Sequence, residues 1–333
     1  MDYFDQFSFL KPLLSYRRII ERKRHHFCDY FEFSNSALYE DCFQWTTKNA
    51  ALHEGIVSLP FFLYFFNKKE NDAFAYQFEQ MNIIGISTGF FENLLARCDE
   101  KGPEMERVAL LQGINIRNLA NQSAAEFIFI VARHFVYFHE FAHLIQQDDI
   151  VNGELPKADQ YCSQEEKLTQ DHVKERDADI FGANLTMSQI QLMFKSYHPQ
   201  YQTAQTLEQL VVLSQVALYL VFDILSDGLK KPIYYEETDH PHHVIRINLL
   251  QKMMSSKANN MDGVGALNIF NILPRTLAIL SALNEKSLNR FVHNMNTYGG
   301  QIDEYEKKYK EEIEQHKWTA GAKMEIWHNS KFR

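Results

Sequence analysis

The sequence predicts an α+β protein, mostly α-helical, with a small β-sheet in its N-terminal half. Three features point there. Long stretches in the middle of the chain repeat apolar residues at helical spacing. One segment, "AFAYQFEQMNIIGIST", has the residue preferences of paired strands, and the last third ends in a charged amphipathic run, "IDEYEKKYKEEIEQHKW". The 333 residues are enough for a sizeable core, and 45% hydrophobic with 23% charged residues is a globular balance rather than a disordered one.

Up to about residue 70 the chain reads as helical and aromatic-rich, with a break at Pro60. The strand segment follows, with a turn near Met81 and Asn82, and "GFFENLLARC" continues it as a helix. "SAAE" (Ser123 to Glu126) is a capping box: the Ser oxygen meets the free amides of a helix start, and the Glu three residues on reaches back. From it an apolar pattern runs through Phe127, Ile130, Val131 and Phe135 to Leu144 and ends at "QQDD". The polar "NGELPKADQYCSQEEKLTQ" predicts a loop of about 20 residues, a length that is often functional. A second helix is expected from Asp171, carrying "DHVKERDADIFGANL". "LVVLSQVALYLVFDIL" (Leu210 to Leu225) is short for a membrane span and holds Ser214, Gln215 and Asp223, so it predicts a buried core helix. A further helix is expected at Pro241, capped by Asp239. The chain divides into an α+β region (1–110), a central core (111–255) and a C-terminal helical region (256–333), expected to form one continuous compact unit.

The net charge of −9 argues against a nucleic-acid partner. The basic run from Tyr16 to His26 fits the solvated face of a helix. Cys28, Cys42, Cys98 and Cys162 form no CxxC pair and match no disulfide framework, which predicts reduced thiols and a cytoplasmic setting. The N-terminus lacks the basic start and cleavage site of a signal peptide, and no membrane partner is expected.

The chemistry concentrates in His139-Glu140-Phe141-Ala142-His143. Residues four apart share a helix face, so His139 and His143 can offer two imidazoles to one zinc ion. Glu140 is offset by one residue, beside the metal, where it can take a proton from water that the metal acidifies. A hydrolytic zinc site needs a third protein ligand and an open position. Gln146 and Asp149 stand where HExxHxxGxxH would need Gly and His, so the ligand must come from another element. Glu175 in "ERDAD" fits, and Asp179, one turn on, can accept the outer N–H of a ligand histidine. Ala178 is small enough to let the two helices approach. Glu165, Glu166 and His172 are the other candidates for the third ligand. In "DHPHHVIRI", His240 and Arg246 can approach the metal and stabilise an oxyanion, or else cap a helix and pair with a structural carboxylate. His242 and His243 are expected toward solvent or beside the cleft.

The order HExxH, polar segment, ExxAD, buried helix, HPxxxxRI resembles the Lit-type phage-exclusion peptidases, gluzincin-like zinc metallopeptidases. The residues carrying it are His139, Glu140, His143, Glu175, Ala178, Asp179, His240, Pro241, Arg246 and Ile247, within about residues 125 to 250. The resemblance implies a zincin-like metallopeptidase core, one Zn2+ per chain and a cytoplasmic endopeptidase acting on a specific protein. Lit-type enzymes cleave elongation factor Tu, so a translation factor is the implied kind of substrate. Catalytic roles fall to Glu140, His240 and Arg246, metal ligation to His139, His143 and Glu175, and support to Asp179. The strand pair could hold an extended substrate by strand addition.

Two other readings stand beside this one. A binding or regulatory module would carry a structural zinc closed by a fourth ligand, His172 or a Glu. A toxin-like stress effector would be an enzyme latent until an activating partner binds.

Overall fold

The computed structural model describes residues 26–331, apart from 29, 54, 58–59, 79–80, 118–121, 148–162, 227–232, 236–237, 239 and 262–266. The basic run up to residue 25, Asp149, Cys162 and Asp239 therefore lie outside the described residues. The chain forms two compact units. One comprises 1–93, 140–155 and 317–333, and the other 94–139 and 156–316. Each unit is discontinuous in sequence, so the unit borders cut across the three segments expected above.

In the first unit, β1 (His26–Phe27) and α1 (Ser36–Leu52) precede β2 (Phe61–Asn67), β3 (Ala73–Phe78) and β4 (Met81–Ser87), and the sheet order is β1-β2-β4-β3. β2 pairs parallel to β4, while β3 pairs antiparallel to β4 and occupies an edge, as strand addition would require. Two sequence expectations change here. The helical reading up to residue 70 misses β2, whose "FFLYFFN" lacks alternation because four consecutive residues, Leu63 to Phe66, are buried. The turn falls two residues early: Phe78 pairs with Met81, and Asn82 lies inside β4. Gly85 is required in β4, because a Cβ there would meet the Phe74 ring of β3 at 2.5 Å.

In the second unit, α2 (Thr88–Leu111) leads to α3 (Ala124–Gln147), α4 (Gln164–Ser196), α5 (Ala204–Leu225), α6 (His243–Asn259) and α7 (Ile269–Gln315). α8 (Ala320–Lys331) belongs to the first unit, and α2 and α3 each run from one unit into the other. The expected capping box starts α3: Glu126 N–H donates to Ser123 Oγ at 3.1 Å, and Ser123 N–H donates to the Glu126 carboxylate at 2.6 Å. α4 begins seven residues before Asp171. Ser163 caps it by accepting from Glu166 N–H at 3.1 Å, and Glu165 and Glu166 suit the positive end of the helix dipole. Most of the predicted loop falls within residues 148–162, which lie outside the described residues.

α5 is buried almost throughout, as expected. α3 and α5 are long and apolar enough to cross a membrane, but 89% and 94% of their most apolar windows are buried within the fold. The polar residues of α5 bind its neighbours. Gln215 donates to the Gln251 carbonyl and to Ser255 of α6, and Asp223 accepts from Ser287 and Asn284 at the kink of α7. Among the described cysteines, Cys28, Cys42 and Cys98 are buried and form no disulfide.

Candidate metal centre

His139, Glu140 and His143 sit in the last three turns of α3, with Glu140 only 7% exposed. Glu175 and Asp179 are one turn apart on α4. One ligand atom each of His139, His143 and Glu175 lies within 4.8 Å of the others. His139 Nε2 and Glu175 Oε2 are 3.5 Å apart. Two zinc bonds of about 2.0–2.1 Å at a tetrahedral angle would put their donor atoms about 3.3 Å apart, so this pair needs almost no adjustment to share an ion.

Asp179 stands where the sequence suggests. It is fully buried, and its Oδ1 lies 3.0 Å from His139 Nδ1, leaving Nε2 to face Glu175. Arg246 of α6 grips the same carboxylate with two bonds, Nε to Oδ2 and Nη2 to Oδ1, each 2.7 Å. Its guanidinium lies over the Phe222 ring of α5, 4.6 Å from the centroid, and Nη2 is 3.5 Å from Glu175. Of the two roles open to Arg246, the carboxylate partner is the one displayed: its donors converge on Asp179.

The electrostatics follow from this chain of charges. Burial opposes the charged form of His139, but Asp179 and Glu175 outweigh it and raise its pKa to about 10. Burial likewise opposes the Asp179 carboxylate, yet Arg246 and His139 hold its pKa below the usual carboxylate range. The cluster is thus built to hold positive charge at Nε2 of His139, as a proton or as a cation.

The backbones of α3 and α4 meet at Gly182. A Cβ there would come 3.2 Å from the His139 nitrogen and 3.3 Å from the Phe135 ring. Ala178 is buried one turn earlier on the same helix, but the close approach belongs to Gly182, which is visible in the sequence only as the next small residue along that face.

The remaining candidates separate cleanly. His240 reaches the site: its Nε2 is 3.4 Å from Glu175 Oε1 and its side chain is 54% exposed. Glu165 and Glu166 lie exposed in the first turn of α4, about 14 Å along the axis from Glu175, so neither is the third ligand. His172 is buried, with Nδ1 against the Tyr305 hydroxyl and Nε2 2.6 Å from the Thr238 carbonyl, which removes it from the metal group. His242 and His243 are not solvent-facing. His242 is 1% exposed and caps α6 by accepting from Val244 N–H at 3.2 Å, so α6 starts at His243 rather than at Pro241. His243 is half-buried near Phe222, where burial and then Arg246 lower its pKa to about 3.

Sequence reasoning uses Gln146 only to exclude a longer zinc motif. In the structure its Oε1 is 3.0 Å from His143 Nδ1, a pairing that i,i+3 spacing on one helix could have revealed. Comparison with protein-family models, with curated proteins and with solved structures returned no match to this chain.

Proposed function

We propose that the protein is a zinc-dependent endopeptidase that hydrolyses a peptide bond in a specific protein target. The observation carrying this reading is the convergence of His139, His143 and Glu175 within 4.8 Å, with a buried Asp179 on the outer nitrogen of His139. Two neutral nitrogens and one carboxylate are a donor set suited to zinc with a position left open. When bound, zinc supplies Lewis acidity toward a carbonyl and lowers the pKa of water. Glu140, one residue from His139, would take the proton from the attacking water and return it to the leaving amine. His240, exposed beside Glu175, is the group available to an oxyanion. Arg246 would act through Asp179, holding the His139 ring in register. By the motif resemblance, the setting is cytoplasmic and the target class a translation factor, in phage defence or stress response.

Elemental mass spectrometry of the purified protein tests the site. About one zinc per chain is expected, lost or weakened in His139→Ala and Glu175→Gln. Glu140→Gln should keep the zinc and abolish cleavage. A chain that takes up no zinc even after its addition ends the peptidase reading. Binding of a small hydroxamate to the zinc-loaded protein distinguishes an open site from the closed site of a binding module.

A further inference from the structure

We propose that Gln146 is a positioning residue for the second histidine and that Lys323, from α8, holds the turn on which Gln146 sits; this rests on the zinc site proposed above. His143 Nδ1 is 3.0 Å from Gln146 Oε1. The side-chain oxygen of Gln can only accept, so Nδ1 carries the proton and Nε2 keeps its lone pair for a metal. His143 thereby offers Nε2, the same ring nitrogen that His139 turns toward Glu175, but a neutral amide imposes the choice.

Gln146 lies in the last turn of α3, where carbonyls have no partner within the helix. Lys323 supplies one. Its Nζ donates to the carbonyls of Ile145 and Gln146, each at 3.1 Å, across 178 and 177 residues of sequence. The side chain is 1% exposed, an uncommon place for an ammonium group, and it meets the negative end of the helix dipole. A frayed last turn would release Gln146, and with it the His143 ring. The C-terminal helix is therefore part of the metal centre although it contributes no ligand.

The test compares zinc affinity, by competition with a chromophoric chelator, in Gln146→Leu, Gln146→Glu and Lys323→Met. The His143 tautomer is read separately, from imidazole nitrogen shifts in the metal-free protein. Gln146→Leu should weaken zinc about tenfold and take the proton off Nδ1 in part of the population. Gln146→Glu, which keeps an acceptor, should restore both. Lys323→Met should weaken zinc by a similar factor and shift the same His143 signals; if it does not fold, Lys323→Leu, which also lacks a donor, is measured in its place. Parental affinity with an unchanged tautomer in Gln146→Leu overturns the role of Gln146, and the same result in the Lys323 variant overturns that of Lys323. If the parent protein binds no zinc, the peptidase reading fails, while the metal-free tautomer still decides this proposal.

Discussion

His139 and His143 stand one turn apart on α3, yet their outer nitrogens are held by opposite means. His139 faces a fully buried carboxylate that is itself gripped by two bonds from Arg246. His143 faces a neutral amide on its own helix, in a turn held by Lys323. The first support is strong because both charges are out of water, and fragile for the same reason. The second is weak and neutral at its point of contact, and charge enters it only through the Lys323 ammonium that holds its turn. The difference assigns the stability of the site to one histidine and its adjustability to the other.

The largest expected effect breaks the charged support. Arg246→Leu leaves Asp179 buried without its main counter-charge, and should cost about 3–5 kcal/mol. Gln146→Leu removes one neutral hydrogen bond and should cost about 1 kcal/mol. Urea midpoints with unchanged slopes measure both. A Gln146 variant as damaged as the Arg246 variant would mean that the contrast between the two supports is wrong.

Asp179→Asn sharpens the comparison by removing charge while keeping shape. Zinc affinity should fall by 10–100-fold, beyond the roughly tenfold loss expected for Gln146→Leu. Parental affinity in Asp179→Asn would show that an acceptor is enough for His139 as well, and that charge contributes nothing.

A third effect concerns protons. His139 has a folded pKa of about 10 against an ordinary value of 6.5. Because the folded value is the higher one, the stabilisation is full below about pH 6.5 and is lost as pH rises through about 10. The urea midpoint of the metal-free protein should decline over that window, and less steeply in Asp179→Asn. Zinc needs the same lone pair, so its uptake at pH 8 should release about one proton from His139. Calorimetry in buffers of different ionisation heat counts that proton. No release would mean that His139 is neutral before metal binds, against the electrostatics of the cluster.

Much of the charged support was legible in the sequence, and little of the neutral one. His139, His143, Glu175 and Asp179 follow from helical spacing, because i,i+4 pairs on two helices leave few ways to place three donors on one ion. The Arg246–Asp179 pair was one of two readings, since a sequence does not say which of several carboxylates a guanidinium meets across 67 residues. The Lys323 contact has no local signature: a lysine in a short helix of mixed composition looks solvated until its partner carbonyls are known. Gly182 was hidden because closest approach depends on where two helix axes cross. β2 was missed because a buried strand and a buried helix segment share an apolar run. The early start of α4 was legible in principle, as Ser163 and Glu166 have capping-box spacing.

The smallest expected effect concerns His240 and decides between an open and a closed site. Its Nε2 is 3.4 Å from Glu175 Oε1, a spacing that two ligands of one zinc could also show. Two observations favour its staying outside the ligand set. It is not among the residues whose donor atoms lie within 4.8 Å of one another, and its side chain is more than half exposed, whereas His139 is buried. His240→Ala should therefore change stability by less than about 0.5 kcal/mol, as surface replacements do. Zinc affinity should stay within about threefold of the parent, while cleavage, where His240 meets the oxyanion, should fall by about 10²-fold. If zinc affinity in His240→Ala instead fell as far as in Glu175→Gln, His240 would be the fourth ligand. The ion would then have no open position, and the protein would be a module built around structural zinc.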